Sequence, residues 1–359
     1  MTQRERQLLN WIEENPLISQ QELAEKAGIT RSSVAVHISN LMKKGRIAGK
    51  GYIVCTAPYV TVVGGVNMDI GGHPSEDLVP QDSNPGTVRM SLGGVGRNIA
   101  HNMSLLGVDT RMLTVFGDDL NAQKIAASCG ELGIDISQSP VIPGGRTSTY
   151  LFINDPQGDM ALAVSDMEIY RHLTPRVLAA RQKLLSASQV IVIDTNIPPE
   201  SIQWLADNAG VPIFADPVST AKAVKLKPAL GKLHTLKPNR LEAELLSGVA
   251  ITDEESLHRA ADALLSTGLR RVFISLGGDG VFAADHTGRL HLPVLSADMV
   301  NTTGCGDAFM AAIVWAYLQG TNLEGTARAG LAASAIAMEG AETINPVMSA
   351  KNLRIRAGL

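Results

Sequence analysis

The chain has 359 residues, of which 45% are hydrophobic, and its mean hydropathy is +0.09. This length is enough for a large buried core and favours two domains. No run of 18 uncharged apolar residues occurs and the first residues are charged, so neither a membrane span nor a signal peptide is predicted. Cys55, Cys129 and Cys305 are widely spaced, which excludes a disulfide framework or a cysteine zinc site and favours a cytoplasmic location.

The net charge of −4 is distributed unevenly along the chain. Residues 1–57 carry eight Lys or Arg and five Glu, a balance of +3, whereas the remainder carries 23 basic and 30 acidic residues, a balance of −7. A basic N-terminal segment on an acidic body predicts different partners for the two parts.

The N-terminal segment predicts three short helices, over Arg4–Glu14, from Ser19 through Ala27, and over Arg31–Lys44, followed by a hairpin over Ile47–Val54. The first helix has its apolar residues on one face, the second starts with a capping-box spacing, and Gly49 lies in the basic hairpin. This order of elements resembles the winged helix-turn-helix domains of bacterial transcription regulators.

In that family the third helix enters the major groove of DNA. The resemblance implies that this helix presents Arg31, Ser32, Ser33 and His37 to the bases. Basic residues near phosphates would be Lys43, Lys44, Arg46 and Lys50. A docking or dimerisation module with a solvated basic face is the alternative, because +3 is a modest charge for a DNA-binding domain.

After a linker at residues 56–58, a β-branched strand over Tyr59–Val63 leads to Asn67 and Asp69. Ligands of open α/β sheets bind at the carboxyl ends of the strands. Two polar side chains at this spacing could hydrogen-bond vicinal hydroxyls, or they could be ordinary turn residues.

A glycine-rich turn at residues 93–96 precedes an apolar helix. Its spacing fits neither the dinucleotide fingerprint nor a P-loop, although glycines before a helix could still hold a phosphate. Asn98, one turn into the helix, is expected to face the same crevice as Asp69.

Two weak hairpins, about Ile70–Met90 and Ser148–Val164, alternate apolar and polar residues. This alternation predicts an antiparallel flap with one wet side. A flap above a crevice can exclude water from a reactive phosphate, so the hairpins are interpreted as a lid.

From Gln189 onward strands and helices alternate, with strands expected at residues 190–194, 212–216, 233–236 and 271–276. This repeated pattern predicts an α/β fold with a doubly wound, mostly parallel sheet covered on both faces.

The stretch Asn301–Phe309 opens an apolar helix over Ala308–Tyr317. Its glycines and the helix N-terminus would together form an anion site. Asp307, in the first turn, could take a proton from an attacking hydroxyl. The alternative is an ordinary glycine-rich turn in which Asp307 is a helix-start residue.

Four ordered motifs, at residues 93–98, 239–242, 277–280 and 301–307, resemble those of the ribokinase-like (PfkB) carbohydrate kinase family over about residues 59–345. The resemblance implies an α/β sandwich with a small β-lid, at about residues 70–91 and 147–165. We therefore expect a winged-helix domain over residues 1–56 and a kinase domain over residues 57–359.

Carried over by position, the resemblance implies that Asp307 is the catalytic base and that the backbone of Gly304, Cys305 and Gly306 forms the anion hole. The ribosyl hydroxyls would be held by Asn67, Asp69, Gly94 and Asn98. The nucleotide site would include Asn239, Ser275, Gly277, Gly280 and Thr303. Glu242, with Asn239, would order Mg²⁺ through water.

Two positions depart from the family pattern. Cys305 replaces the usual Ala, which leaves the backbone N–H in place. Asn301 stands where many members have Asp, so a requirement for K⁺ stays open.

Longer strings, including those at residues 82–86, 216–219 and 234–244, resemble the bacterial pseudouridine kinases of this family. They imply ATP-dependent phosphorylation of a nucleoside 5′-hydroxyl. Alternative acceptors are inosine, uridine or a free sugar, and the alternative of another class is a nucleoside-sensing transcription regulator. We interpret five residues in or near the lid as candidates for recognising the nucleobase: Ser83, Asn84, Thr147, Thr149 and Asp166. Turn formation is the alternative for Ser83 and Asn84, and an exposed lid edge would suit a homodimer.

Overall fold

The computed structural model describes residues 1–49 and 58–359. The chain divides into two compact units, Met1–Pro58 and Tyr59–Leu359. Within the described ranges, no helix is both long and apolar enough to cross a membrane. The expected boundary after residue 56 falls outside the described residues and stays a prediction.

Among residues 1–49, hydroxyl side chains begin the helices α1 (Gln3–Glu14), α2 (Gln20–Ala27) and α3 (Arg31–Lys43). Thr2 and Ser19 each form a capping box, and Thr30 accepts the N–H of Ser33. These caps satisfy backbone donors that a helix start leaves unpaired. The expected hairpin lies largely outside the described residues.

The core of this smaller unit is built from one apolar stripe per helix, as the spacing predicts. Its largest fully buried side chains are Leu8, Ile12, Leu23, Leu41 and Ile47. Trp11 is only partly buried and packs at the margin of this core.

Helices of the larger unit follow its strands along the chain. They are α4 (Val95–Leu105), α5 (Leu120–Leu132), α6 (Pro175–Ala179), α7 (Gln182–Ser186), α8 (Pro199–Asn208), α9 (Thr220–Ala223), α10 (Arg240–Ser247), α11 (Glu254–Ser266), α12 (Cys305–Leu318), α13 (Leu323–Met338) and α14 (Ala350–Ala357). Shorter 3₁₀ segments span Glu168–His172, Val224–Lys232 and Gly277–Asp279.

Strands of the larger unit form a main sheet, a lid sheet and one small pair. They are β1 (Val60–Val63), β2 (Asn67–Pro74), β3 (Gly86–Gly93), β4 (Thr110–Leu113), β5 (Phe116–Gly117), β6 (Val141–Ile142), β7 (Thr149–Asn154), β8 (Met160–Asp166), β9 (Val190–Asp194), β10 (Ile213–Asp216), β11 (Thr235–Leu236), β12 (Arg271–Ser275), β13 (Val281–Asp285) and β14 (Gly288–Leu292).

The main sheet has the order β14-β13-β12-β11-β10-β9-β1-β4. The strands from β12 to β4 are parallel, while β13 and β14 add an antiparallel edge. The predicted doubly wound, mostly parallel sheet is therefore confirmed. The carboxyl ends of the parallel strands meet at one edge, which is where ligands of such sheets bind.

Helices cover both faces of the sheet, because successive residues of each strand point to opposite sides. In β9, Val190 and Val192 lie in a core shared with α12 and α13. Ile191 and Ile193 lie in a second core shared with α8 and α11. This double burial explains why the strand reads as a continuous apolar run.

The lid is a four-stranded sheet with the order β3-β2-β7-β8. Its two hairpins are antiparallel, as expected, but a parallel contact between β2 and β7 joins them. The expectation of one covered side is corrected, since most residues of β3 and β8 are exposed on both faces. Because apolar and polar residues alternate along these strands, one face of the lid sheet is apolar, and none of the described residues covers it.

Candidate active site

Asp194, the last residue of β9, holds together two of the segments that carry the predicted substrate residues. Its Oδ2 atom accepts the backbone N–H groups of Gly65 at 2.7 Å and Gly96 at 2.8 Å. A Cβ atom on Gly64 would lie 2.6 Å from this same oxygen, which explains why that position is glycine. Asp194 thus ties the loop after β1 to the first turn of α4.

Asn67 and Asp69, at the start of β2, lie together as their spacing predicts. The Asn67 amide donates a hydrogen bond to Oδ1 of Asp69. Burial raises the pKa of Asp69 to about 6, against the lowering effects of this hydrogen bond and of the nearby Arg97 charge. Gly94 has a φ of +98°, and a Cβ there would lie 2.6 Å from the carbonyl oxygen of Gly65.

The two glycine-rich motifs meet through a side-chain contact. Nδ2 of Asn98, on α4, donates to Oδ2 of Asp307, on α12, over 2.9 Å. Burial raises the pKa of Asp307 to about 7 and the charge of Asp216 adds to this, whereas the Asn98 bond and Lys237 lower it. A carboxylate whose pKa is close to neutral pH is suited to act as a general base.

The turn before α12 is fixed by a glycine and by contacts of its neighbours, and its assignment as an anion site stays a prediction. Gly304 has a φ of +84°, and a Cβ there would lie 2.4 Å from the carbonyl oxygen of Thr343. Thr303 is exposed, and its N–H is held by Oδ1 of Asn301 at 2.9 Å. Cys305 is half-buried, and its carbonyl oxygen accepts the hydroxyl of Ser334. The first-turn amides of α12 start at this point, where a helix favours negative charge.

Asn239 and Glu242 form the capping box of α10. Oδ1 of Asn239 accepts the N–H of Glu242 at 2.9 Å, and Oε2 of Glu242 accepts the N–H of Asn239 at 2.8 Å. Burial raises the pKa of the Glu242 carboxyl. This leaves Oε1 of Glu242 as its carboxylate oxygen outside the capping box.

The remaining nucleotide-site candidates lie beside this helix start. The N–H of Ser275 donates to the carbonyl oxygen of Pro238 at 2.9 Å, which joins the end of β12 to the start of α10. Gly277 and Gly280 have φ values of +62° and +92° in the following turn. A Cβ on Gly280 would lie 2.0 Å from the carbonyl oxygen of Leu292, so only glycine fits there.

The lid candidates fall into two groups. Thr149 and Asp166 are paired directly across β7 and β8. Thr147 is buried, and its hydroxyl donates to Asp119 and accepts from the N–H of Gly117. Its side chain therefore already has protein partners, and its assignment to substrate stays a prediction.

Ser83 and Asn84 lie in the exposed turn between β2 and β3. The Asn84 side chain accepts the N–H of Val79 at 2.7 Å and donates to the carbonyl oxygens of Val79 and Asp82. The N–H of Ser83 donates to Oδ1 of Asp82. These contacts favour the alternative that both residues form the turn.

Sequence reasoning missed Asp194, Arg97 and the pair formed by Asp216 and Lys237. Arg97 is buried and donates to the carbonyl oxygen of Leu92 at 3.2 Å and to Oγ of Ser128 at 2.9 Å, so it ties β3 to α5. The available signal was a charged residue at the end of an apolar strand, as for Asp194 and Asp216, or directly after one, as for Lys237.

Comparison with known proteins places these observations in a family. The model of the pfkB family carbohydrate kinases matches residues 57–350, and a model of winged helix-turn-helix DNA-binding domains matches residues 1–48. The Escherichia coli (strain K12) protein named "Uncharacterized sugar kinase YeiI" is 39% identical over 98% of both chains. Pseudouridine kinase of the same organism is 38% identical over 82% of this chain and 95% of its own.

Among solved structures, ribokinase of Arabidopsis thaliana complexed with ribose and ATP matches with a TM-score of 0.75 at 21% identity. The match covers 85% of this chain and 100% of that one and reflects a shared fold. With the family model spanning most of the larger unit, the chain belongs to the pfkB family of carbohydrate kinases.

Proposed function

We propose that this chain transfers the γ-phosphoryl group of ATP to the 5′-hydroxyl of a nucleoside, with pseudouridine as the preferred acceptor. The observation that carries the proposal is the bond between Asn98 and Asp307, because it joins a base with a pKa of about 7 to the predicted hydroxyl-binding helix. The pseudouridine kinase at 38% identity supports the choice of acceptor.

In the proposed reaction, the 5′-hydroxyl oxygen attacks the γ-phosphorus, and the bond from that phosphorus to the ADP oxygen breaks with its electron pair left on ADP. The hydroxyl proton passes to Asp307. The backbone amides from Gly304 to Gly306 and the start of α12 stabilise the charge on the transferring group. Asn98 holds the carboxylate in place.

The residues present fit an indirect role in binding Mg²⁺. Mg²⁺ keeps several waters and takes few protein ligands beside substrate phosphates. Among the described residues, no cluster of three or more His, Cys, Asp or Glu could hold a metal directly. Glu242 has a carboxylate oxygen outside its capping box, which suits a water-mediated contact. Bound Mg²⁺ would neutralise phosphate charge there.

A panel of acceptors tests this function. ATP consumption by the full chain would be measured with pseudouridine, uridine, inosine, ribose and fructose 1-phosphate. We expect the highest kcat/KM for pseudouridine. Turnover only on another acceptor would support kinase activity but reject pseudouridine as the substrate. Tight nucleoside binding without any turnover would favour the alternative of a nucleoside-sensing transcription regulator.

We also propose that the N-terminal unit binds DNA, a function favoured by its match to winged helix-turn-helix domains. On α3, Arg31 and Ser32 are exposed, while Ser33 and His37 are half-buried. Lys44 is less available than expected, because its ammonium pairs with the buried Glu5 at 2.7 Å. Lys50 lies outside the described residues.

Fluorescence anisotropy with a labelled duplex, at 50 and 200 mM salt, tests DNA binding. We expect affinity to fall steeply with salt, since phosphate contacts release counterions. Arg31→Ala should weaken binding, and Lys232→Ala, on the surface of the kinase unit, should not. Absence of binding at low salt would reject DNA binding and favour the alternative that this unit is a docking or dimerisation module.

We further propose that a second copy of the chain covers the apolar face of the lid. The register of the lid strands aligns its exposed apolar residues on one face, Val88, Met90, Leu151, Leu162 and Val164. Light scattering should give a dimer, and Val88→Lys with Leu162→Lys should give a monomer. A monomeric wild-type chain would reject this proposal.

A further inference from the structure

Lys237 directly follows β11, and Asp216 ends the neighbouring strand β10. Because Ala215 pairs with Leu236 in parallel register, the two charged residues come next to each other at the carboxyl ends of these strands. Nζ of Lys237 lies 3.0 Å from Oδ2 of Asp216, and both side chains are more than nine-tenths buried. The family motifs that guided the site assignment leave both residues without a role.

The Lys237 ammonium lies against the glycine turn that begins α12. A Cβ atom on Gly306 would be 3.0 Å from Nζ of Lys237, so the ammonium borders the backbone expected to hold the transferring phosphoryl group. Its charge also lowers the pKa of Asp307. Lys237 therefore lies next to both the proposed catalytic base, Asp307, and the glycine turn that is expected to bind the phosphoryl group.

The ammonium has hydrogen-bonding capacity beyond its ion pair. A lysine ammonium carries three N–H donors, and among the described residues the carboxylate that pairs with Lys237 is that of Asp216. Leaving donors of a buried charge unmatched is costly. Burial lowers the pKa of Lys237, but the attraction of Asp216 outweighs it and the net pKa is raised. A charged donor group thus borders the predicted anion site.

We propose that Lys237 binds the γ-phosphoryl group of ATP during transfer and that Asp216 positions it. The inference rests on the proposed phosphoryl transfer. Lys237 supplies charge and N–H donors to the phosphoryl oxygens and exchanges no proton. The hydroxyl proton still goes to Asp307 and the electron pair of the broken bond to ADP.

Charge balance supports this role. Asp307, Asp216 and Glu242 bring three carboxylates to this end of the site, and the charge of Asp216 acts on both of the others. A triphosphate adds further negative charge. One ammonium held by Asp216 and bordering Gly306 reduces that repulsion where the phosphoryl group would move.

The test compares Lys237→Met with Arg271→Met. Both changes remove the cation that pairs with a buried aspartate, but Arg271 pairs with Asp285 at the other end of the parallel strands, at 3.0 Å. The dissociation constants of ATP, ADP and pseudouridine would be measured by calorimetry, together with kcat.

For Lys237→Met we expect ATP to bind about tenfold more weakly, with ADP and pseudouridine changed less than about threefold, and kcat to fall about 10²- to 10³-fold. Arg271→Met should change none of these beyond about threefold. An unchanged ratio of ATP to ADP affinity in Lys237→Met would overturn the proposal.

A second variant keeps the test decisive if Lys237→Met does not fold. Lys237→Met combined with Asp216→Asn removes both charges of this ion pair and leaves neither partner unpaired, so we expect it to fold. Our proposal requires the same loss of ATP affinity and turnover in this double variant. Restoration of both to wild-type values would show that Lys237 serves only as the counter-ion of Asp216.

The affinity ratio separates this inference from the proposed function. If the wild-type chain phosphorylates no nucleoside, the proposed acceptor fails, whereas the ATP and ADP titrations still report on Lys237. If the wild-type chain is an active nucleoside kinase and Lys237→Met has the wild-type ratio of ATP to ADP affinity and the wild-type kcat, only the proposed role of Lys237 is rejected.

Discussion

Asn98 and Asp307 are 209 positions apart in the chain, yet Nδ2 of Asn98 donates to Oδ2 of Asp307 over 2.9 Å. The bond connects the starts of α4 and α12, so in the proposed reaction hydroxyl binding and proton removal would depend on one pair of side chains.

Replacing Asp307 with Asn should abolish most turnover without loss of nucleoside binding. The amide keeps the size of the carboxylate but cannot accept the hydroxyl proton, and we expect kcat to fall about 10³-fold or more. Steady-state kinetics and calorimetric titration with pseudouridine would check this. Asp207→Asn, on the surface at α8, is the matched control. Near-normal kcat in Asp307→Asn would remove Asp307 as the base.

The pH dependence of kcat/KM should reflect the raised pKa of Asp307. The base works as a carboxylate, so activity rises as pH increases through about 7 and falls below it. Asp216→Asn removes a negative charge that raises this pKa, so the rising limb should move to lower pH. Profiles from pH 5 to 9 would measure the shift, and a limb that stays in place or moves to higher pH would contradict the assignment.

Glycines at the two ends of α12 allow a matched comparison. Gly304 and Gly320 have φ values of +84° and +73°, but a Cβ would contact the carbonyl oxygen of Thr343 only at Gly304. Gly320→Ala should therefore cost about 1–2 kcal/mol of unfolding free energy from backbone strain. Gly304→Ala should cost more and should also reduce kcat. Equal effects on unfolding and on kcat would show that the Gly304 turn has no special role.

Deleting residues 1–56 should leave the kinase reaction intact. Every predicted catalytic residue lies in the unit Tyr59–Leu359, which has its own two hydrophobic cores. We expect kcat and KM within about twofold of the full chain, since the truncation removes no side chain of the site. A folded truncation without activity would indicate that the N-terminal unit contributes to catalysis.

Sequence reasoning predicted the parts of the fold that depend on local signals. The strand over Val190–Asp194 was expected with the bounds that the structure gives. Apolar periodicity and capping residues encode such elements within a few positions. The same holds for Ser19, whose capping box was read from its spacing to Glu22.

Contacts between distant residues were beyond that reasoning. Asp194 meets Gly65 across 129 positions, and no local pattern signals which backbone groups its carboxylate accepts. The pairing of Asp216 with Lys237 depends on the register of two neighbouring strands. For the lid, alternation predicted two hairpins but not the parallel contact between β2 and β7.

The single carboxylate oxygen of Asp194 that holds Gly65 and Gly96 also bears on the order in which the protein can assemble. As the chain leaves the ribosome, both glycine segments emerge about a hundred residues before β9 and lack their acceptor until that strand joins the sheet. Nucleoside affinity should therefore appear late in synthesis. Chains arrested before residue 194 would contain both glycine segments without the carboxylate that joins them.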